Sequence, residues 1–211
     1  MLTGPVSRLD IHSIRASLWG PPDFRVALSV INSGGTFSVD ELLNIHNPAS
    51  DTRWSIAHIL ADRGTFFSLD ELLRLGNPPD LYGNTLAHVM ARRGHIFPLD
   101  HLLRLGNPGN RWNLTPAHWV ARAYHFTVDD LLRLGNPAIS SERIVYLVGD
   151  IELDSTTLYE MGIAINFPGA TVAHIMAREG WRFSPWDLQC LGDPQDAEGR
   201  TISDWMRDSG A

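Results

Sequence analysis

Apolar positions along this chain fall into two short patterns that alternate. Leu86, Ala87, Met90 and Ala91 recur at helical spacing, which predicts a helix over Leu86–Arg93 with one apolar face, stopped by Gly94. A second pattern opens at FSLDELL, where Ser68 and Glu71 have the spacing of a capping box, as do Ser38 and Glu41. It closes at Gly76, Gly106 and Gly135, each followed by Asn-Pro, the signature of a left-handed C-cap and a residue that cannot continue the helix. Neither helix can bury its apolar side alone, so neighbouring copies must supply each other's core.

The copies are explicit. WSIAHILADRGT begins at Trp54, NTLAHVMARRGH at Asn84, LTPAHWVARAYH at Leu114 and ATVAHIMAREGW at Ala170. Aligned on the Ala-His pair, Ala57, Ala87 and Ala117 stand at steps of 30, and Ala173 follows after 56. That longer gap accommodates one divergent, slightly shortened copy, with Glu142-Arg143 in place of Ala-His. The predicted fold is all-α, a helical solenoid of helix-turn-helix units with short loops between repeats. Its expected parts are a capping helix within 1–21, four repeats over 22–139, the divergent repeat over 140–168, a further repeat over 169–198 and a C-terminal cap over 199–211, where Asp204 replaces the histidine.

Gly83, Thr85, His88, Ala91, Gly94, His95, Leu102, Leu103 and Gly106 match the pattern of the ankyrin repeat, which the chain resembles over about residues 22 to 211; Thr115-Pro116-Ala117-His118 retains even the proline. The unit is about 30 residues rather than 33, and the shortfall lies where that family has its projecting β-hairpin. GNPPDLYG is too short for a full one. The resemblance implies a fold and leaves the partner open, because such folds serve many functions.

His58, His88, His118 and His174 are expected to be structural. Ala lets the helix approach its neighbours closely, and the ring beside it can hydrogen-bond backbone across the adjoining turn, tying unit to unit. Metal binding is disfavoured, since residues one repeat apart should stand roughly 10 Å from one another, whereas shared coordination needs ~2 Å bonds. No cofactor or metal is expected. Phosphate loops, GxSxG, HExxH and CxxC are absent, and the recurrent Asp of LDELL sits where a carboxylate favours a helix dipole. An enzyme is not expected.

Charge and composition narrow the partner. The chain of 211 residues has net charge −7, and all 17 basic residues are Arg. Lys is absent although it is ordinarily among the commonest residues, which leaves genomic bias or avoidance of lysine-directed, ubiquitin-like modification. The single Cys190 and the lack of an apolar run of ~18 residues fit a soluble cytoplasmic protein with no membrane segment.

By the resemblance, the inner face of the stack is lined by the residue before Thr, the residue after His and the pair before the first Gly. Trp54, Arg63, Arg92, Arg93, Trp119, Arg122 and Arg178 occupy such positions, and Tyr82 and Trp112 sit in the preceding turns. These residue types dominate interface energetics. The expectation is a non-enzymatic module that binds a protein with an acidic surface through this face, the Arg residues forming a basic stripe. Net acidity disfavours nucleic acid. The alternatives are an acidic mimic or inhibitor of a nucleic-acid-binding protein, and an adaptor or effector linked to a lysine-modifying system.

Overall fold

The computed structural model describes residues 22–140, 146–148, 151–153 and 167–209. Helices dominate. In chain order they are α1 (Pro22–Asn32), α2 (Val39–Asn44), α3 (Ile56–Asp62), α4 (Leu69–Arg74), α5 (Leu86–Arg92), α6 (Leu99–Arg104), α7 (Pro116–Val120), α8 (Val128–Leu134), α9 (Val172–Arg178), α10 (Pro185–Leu191) and α11 (Ile202–Asp208). They pair into layers, α1 with α2 through α9 with α10, and α11 follows as a single helix. The first helix of each layer packs on that of the next, from α1 through α3, α5, α7 and α9 to α11, while α6 packs on α8 and α8 on α10. The expected capping helix within 1–21 lies outside the described residues.

Local chemistry accounts for these short helices. Ser38, Ser68, Thr127 and Ser184 cap α2, α4, α8 and α10, each with a carboxylate at the third helical position returning the bond. In the Leu-Leu pair of these helices the first residue faces inward: Leu42, Leu72, Leu102 and Leu131 are buried, whereas Leu43, Leu73 and Leu132 are exposed. Gly34, Gly64, Gly94 and Gly180 end the first helices at positive φ. The α7 layer has no such glycine, and Ala123-Tyr124 turns the chain with one residue fewer.

The Asn of Gly-Asn-Pro does more than end a helix. Asn47, Asn77 and Asn107 each offer Oδ1 to the backbone N–H of Ala57, Ala87 and Ala117, at 3.0 to 3.2 Å, so the end of one layer satisfies an orphan donor at the start of the next. Asp193 does the same for Ser203, and also accepts that residue's hydroxyl at 2.7 Å.

A divergent repeat was expected over 140–168; most of that stretch lies outside the described residues, and the described layers on either side of it meet directly. Asn136 Oδ1 accepts the N–H of Ala173 at 3.1 Å, and Ala138 bridges Thr171 as Ala49 bridges Ser55 and Pro79 bridges Thr85. Ile139 N–H donates to Ala170 at 2.9 Å and Gly169 N–H to Ile139 at 3.0 Å, the counterparts of the Asp80–Asn84 and Gly83–Asp80 bonds that close an ordinary turn. The α9–α10 layer therefore sits directly on α7–α8, and the chain between Ser140 and Phe167 leaves and returns at the tip of one turn. Within it β1 (Tyr146–Val148) and β2 (Ile151–Leu153) pair antiparallel, so the chain is helical in its layers with one two-stranded exception.

Candidate interaction surface

Three of the four Ala-His histidines, His58, His88 and His174, make a bidirectional tie, and all four make its capping half. Nδ1 accepts the backbone N–H of the preceding helix cap: Ser55 to His58 at 3.2 Å, Thr85 to His88 at 3.0 Å, Thr115 to His118 at 3.0 Å, Thr171 to His174 at 3.1 Å. Nδ1 must then be bare and Nε2 carries the proton. Nε2 of His58, His88 and His174 reaches the carbonyl of Asn84, Leu114 and Arg200 in the next layer, at 3.3, 2.8 and 3.3 Å. Burial is the largest influence on these rings and holds His58 and His88 at about 4 and His118 at about 3, well below the ordinary 6.5. In α11 the acid Asp204 performs the capping half alone, accepting the Thr201 N–H at 2.9 Å.

His118 departs from this pattern. Its Nε2 is buried without a hydrogen-bond partner. The carbonyls of Pro137 and, less strongly, Ala170, counterpart of the Leu114 carbonyl, raise the pKa of the ring against its burial, but neither meets hydrogen-bond geometry at Nε2.

The predicted surface residues separate into three groups. Trp119 is only 6% exposed, and Ile59, Val89 and Ile175 at the same position are buried as well, so the residue after His belongs to the core. This removes Trp119 from the candidate surface. It faces neighbouring first helices, where an aliphatic or aromatic side chain is needed to fill the layer joint. Trp54 is half-buried and stacks on His58, with ring centroids 4.9 Å apart, covering that tie rather than standing free of the scaffold.

The arginines at the ends of the first helices form the second group. Asp62, whose side chain is 12% exposed, receives both Arg92 at 2.8 Å and Arg93 at 2.7 Å from the next layer. Burial pushes this carboxyl up, but the two guanidinium groups outweigh it and leave its pKa lowered. Arg63 donates to the Ile31 carbonyl at 3.0 Å and to Asn32 Oδ1 at 2.7 Å, closing the end of α1. Arg178 lies 4.3 Å over the ring of Phe167, where the inserted chain re-enters. Arg122 is exposed and has no ion pair among the described residues. At the position one repeat earlier, where Arg92 has Asp62 in the layer before it, the layer before Arg122 carries Arg92.

Tyr82 and Trp112 are the third group. They occupy successive turns joined by a 2.8 Å bond from Arg111 N–H to the Tyr82 carbonyl, and their half-buried rings stack with centroids 6.0 Å apart and planes 16° apart. The turns themselves are held by Asp80 and Asn110, each accepting two backbone N–H groups within its own turn. Burial raises the Asp80 pKa, the bonds it accepts only partly opposing this.

Some exposed apolar residues were not anticipated. Phe66 at 49%, Ile96 at 45% and Tyr124 at 36% lie in the turns after α3, α5 and α7, and Phe66 approaches His95 at 5.0 Å while His125 approaches Trp181 at 4.1 Å. A signal existed. Phe66, Ile96 and His125 each precede a buried phenylalanine (Phe67, Phe97, Phe126), and alternation there puts one member of the pair outside.

Among the described residues no three His, Cys, Asp or Glu side chains come together as a metal ion would require, and no helix is long and apolar enough to cross a membrane. No family model matches the chain, and no curated protein matches it either.

Proposed function

We propose that this chain is a helical solenoid of ankyrin-like repeats that acts as a non-enzymatic interaction module. It holds a protein partner with an acidic surface through the edge bearing Tyr82, Trp112, Arg92, Arg93, Arg122 and Arg178. The observation that carries this reading is Arg122, an exposed residue near the middle of the stack with no ion pair among the described residues, at the repeat position where the preceding layer has Arg92 rather than a carboxylate. A partner carboxylate placed there would form a charge-assisted bond. The stacked Tyr82–Trp112 pair adds rigid area of the kind that forms interface hot spots. Catalysis is a poorer account, because the four repeated histidines sit inside helix caps and layer joints where a substrate has no access.

The test is capture of a partner by the intact chain, then affinity measurements with Arg122→Ala and Trp112→Ala. Each should lose on the order of 2 kcal/mol of binding, with Arg104→Ala as control. Retained affinity in both variants would move recognition elsewhere on the molecule.

A further inference from the structure

The turn that joins the two helices of a layer exposes one side chain two residues before the cap of the second helix. In the α3, α5 and α7 layers these are Phe66, Ile96 and His125. Phe66 meets His95 of the next turn and His125 meets Trp181, with ring centroids 5.0 and 4.1 Å apart, so the turns of successive layers join into one row. Phe67, Phe97 and Phe126 are buried beneath it, and His95 and Tyr124 stand edge-on to Phe97 and Phe126 at 4.5 and 5.1 Å. The row is thus fixed in place before anything binds, which lowers the ordering cost of a contact. Thr36 takes the same position in the first layer and Arg182 in the last, so the row ends at a polar residue on each side.

Charge is divided across this row. On the flank of the first helices Arg63, Arg93 and Arg122 are exposed, each three residues before Phe66, Ile96 or His125. Arg93 pairs with Asp62 while its side chain remains 47% exposed, so its planar group keeps donors for a second carboxylate. On the flank of the second helices Asp70, Asp100 and Asp129 are exposed, each four residues after the same side chains.

We propose that this row docks an extended acidic segment of a protein partner, which seats an apolar side chain at every third residue on the row and turns the carboxylates between them to the arginine flank. The proposal rests on the reading of the chain as an interaction module and names the chemistry of its partner. Spacing selects the conformation. A polyproline II segment has three residues per turn and rises about 3.1 Å per residue, so side chains on one face recur every ~9 Å, close to the step of roughly 10 Å between layers. The row from Phe66 to Trp181 crosses the layers from α3 to α9, enough for a segment of about ten residues. Single-stranded nucleic acid also stacks on aromatic rings beside arginine, but the aspartates of the other flank and the net charge of −7 repel phosphate.

Fluorescence anisotropy of labelled synthetic peptides with the full chain tests this. The probe, about ten residues long, has Phe at every third position and Asp or Glu between. It should bind at least about tenfold tighter than the same peptide with Lys for each acid, and than one of the same composition with Phe at every second position. Phe66→Ser and Tyr124→Ser should each weaken the probe by about tenfold. Leu73→Ser, at a similarly exposed apolar residue of α4 away from the row, should leave it unchanged. Urea midpoints of the variants separate lost binding from lost fold, and the comparison of peptides needs no variant. Equal binding of the three peptides, or binding of none, would overturn the inference; a captured partner that still depended on Arg122 and Trp112 would then leave the proposed function standing without it. Equal loss with Leu73→Ser and Phe66→Ser would overturn it as well, as would tighter binding of an oligouridylate of matching length.

Discussion

The two sides of the stack are fastened by different physics. Along the first helices, most groups that join layers are buried, neutral and singly matched, a histidine N–H to one carbonyl and an Asn carboxamide to one backbone N–H, with the Asp62 pairing to Arg92 and Arg93 at the helix ends as the charged addition. Along the second helices, the polar links are exposed ion pairs, Arg74 with Asp40 and Arg104 with Asp70, the latter at 3.7 Å and with more than half of each side chain in solvent. There the hold comes from Leu42, Leu72, Leu102 and Leu131, which are apolar and impose no pairing direction. Register between layers is therefore set on the inner side, because a buried donor has one acceptor and is costly to leave unmatched. The outer side tolerates slippage and substitution.

Acid should expose this asymmetry most strongly. An unfolded histidine titrates near 6.5, whereas folded His58 and His88 titrate at about 4 and His118 at about 3. Between those values the unfolded chain binds more protons, so this part of the stability is fully present above about 6.5 and is lost as pH falls toward the folded values. For His58 and His88 the difference corresponds to about 3 kcal/mol per ring, lost in full only below the folded values. Urea unfolding at about pH 7 and about pH 5.5 should show a drop in midpoint above the range where most carboxylates titrate. An unchanged midpoint would mean that the rings are already charged or hydrated in the folded chain.

Substitution separates one histidine from another. His88→Ala removes a ring bonded at both nitrogens and should cost about 1–3 kcal/mol, while His118→Ala removes a ring whose Nε2 bonds nothing and should cost less. Denaturant unfolding of the two variants measures the difference directly. A larger loss for His118 would show that its packing outweighs the missing bond.

Asn107→Ala leaves the Ala117 N–H without its acceptor and should cost about 1 kcal/mol, detectable as a shift in melting temperature. On the outer side Arg104→Ala should change stability by less than about 0.5 kcal/mol, and added salt should make no further difference to that variant. If Arg104→Ala proved the more damaging of the two, the contrast between the sides would collapse.

Much of this architecture is readable in the chain. The capping pairs Ser38 with Glu41 and Ser68 with Glu71 form as their spacing predicts, because a capping box depends on residues three apart and little else. Gly-Asn-Pro marks helix ends for the same local reason. The second role of Asn77 and Asn107 was not legible, since the N–H they accept belongs to a residue ten positions on, brought near only when layers stack. Trp119 was misplaced on the surface because a period of 30 locates equivalent positions but does not say which of them meet a neighbour. Arg92, Arg93 and Arg122 look alike in sequence, yet Asp62 engages the first two and leaves the third.

The sequence by itself determined the helices, their caps, their order and the 30-residue step, all of which follow from backbone preferences acting over a few residues. Only the tertiary structure decided that the α9–α10 layer seats directly on α7–α8, despite the step of 56 between Ala117 and Ala173. A layer exists where its donors and acceptors meet those of its neighbours, and Asn136 meets Ala173 across 37 residues of sequence. That is a relation between two surfaces in contact, which no local preference encodes.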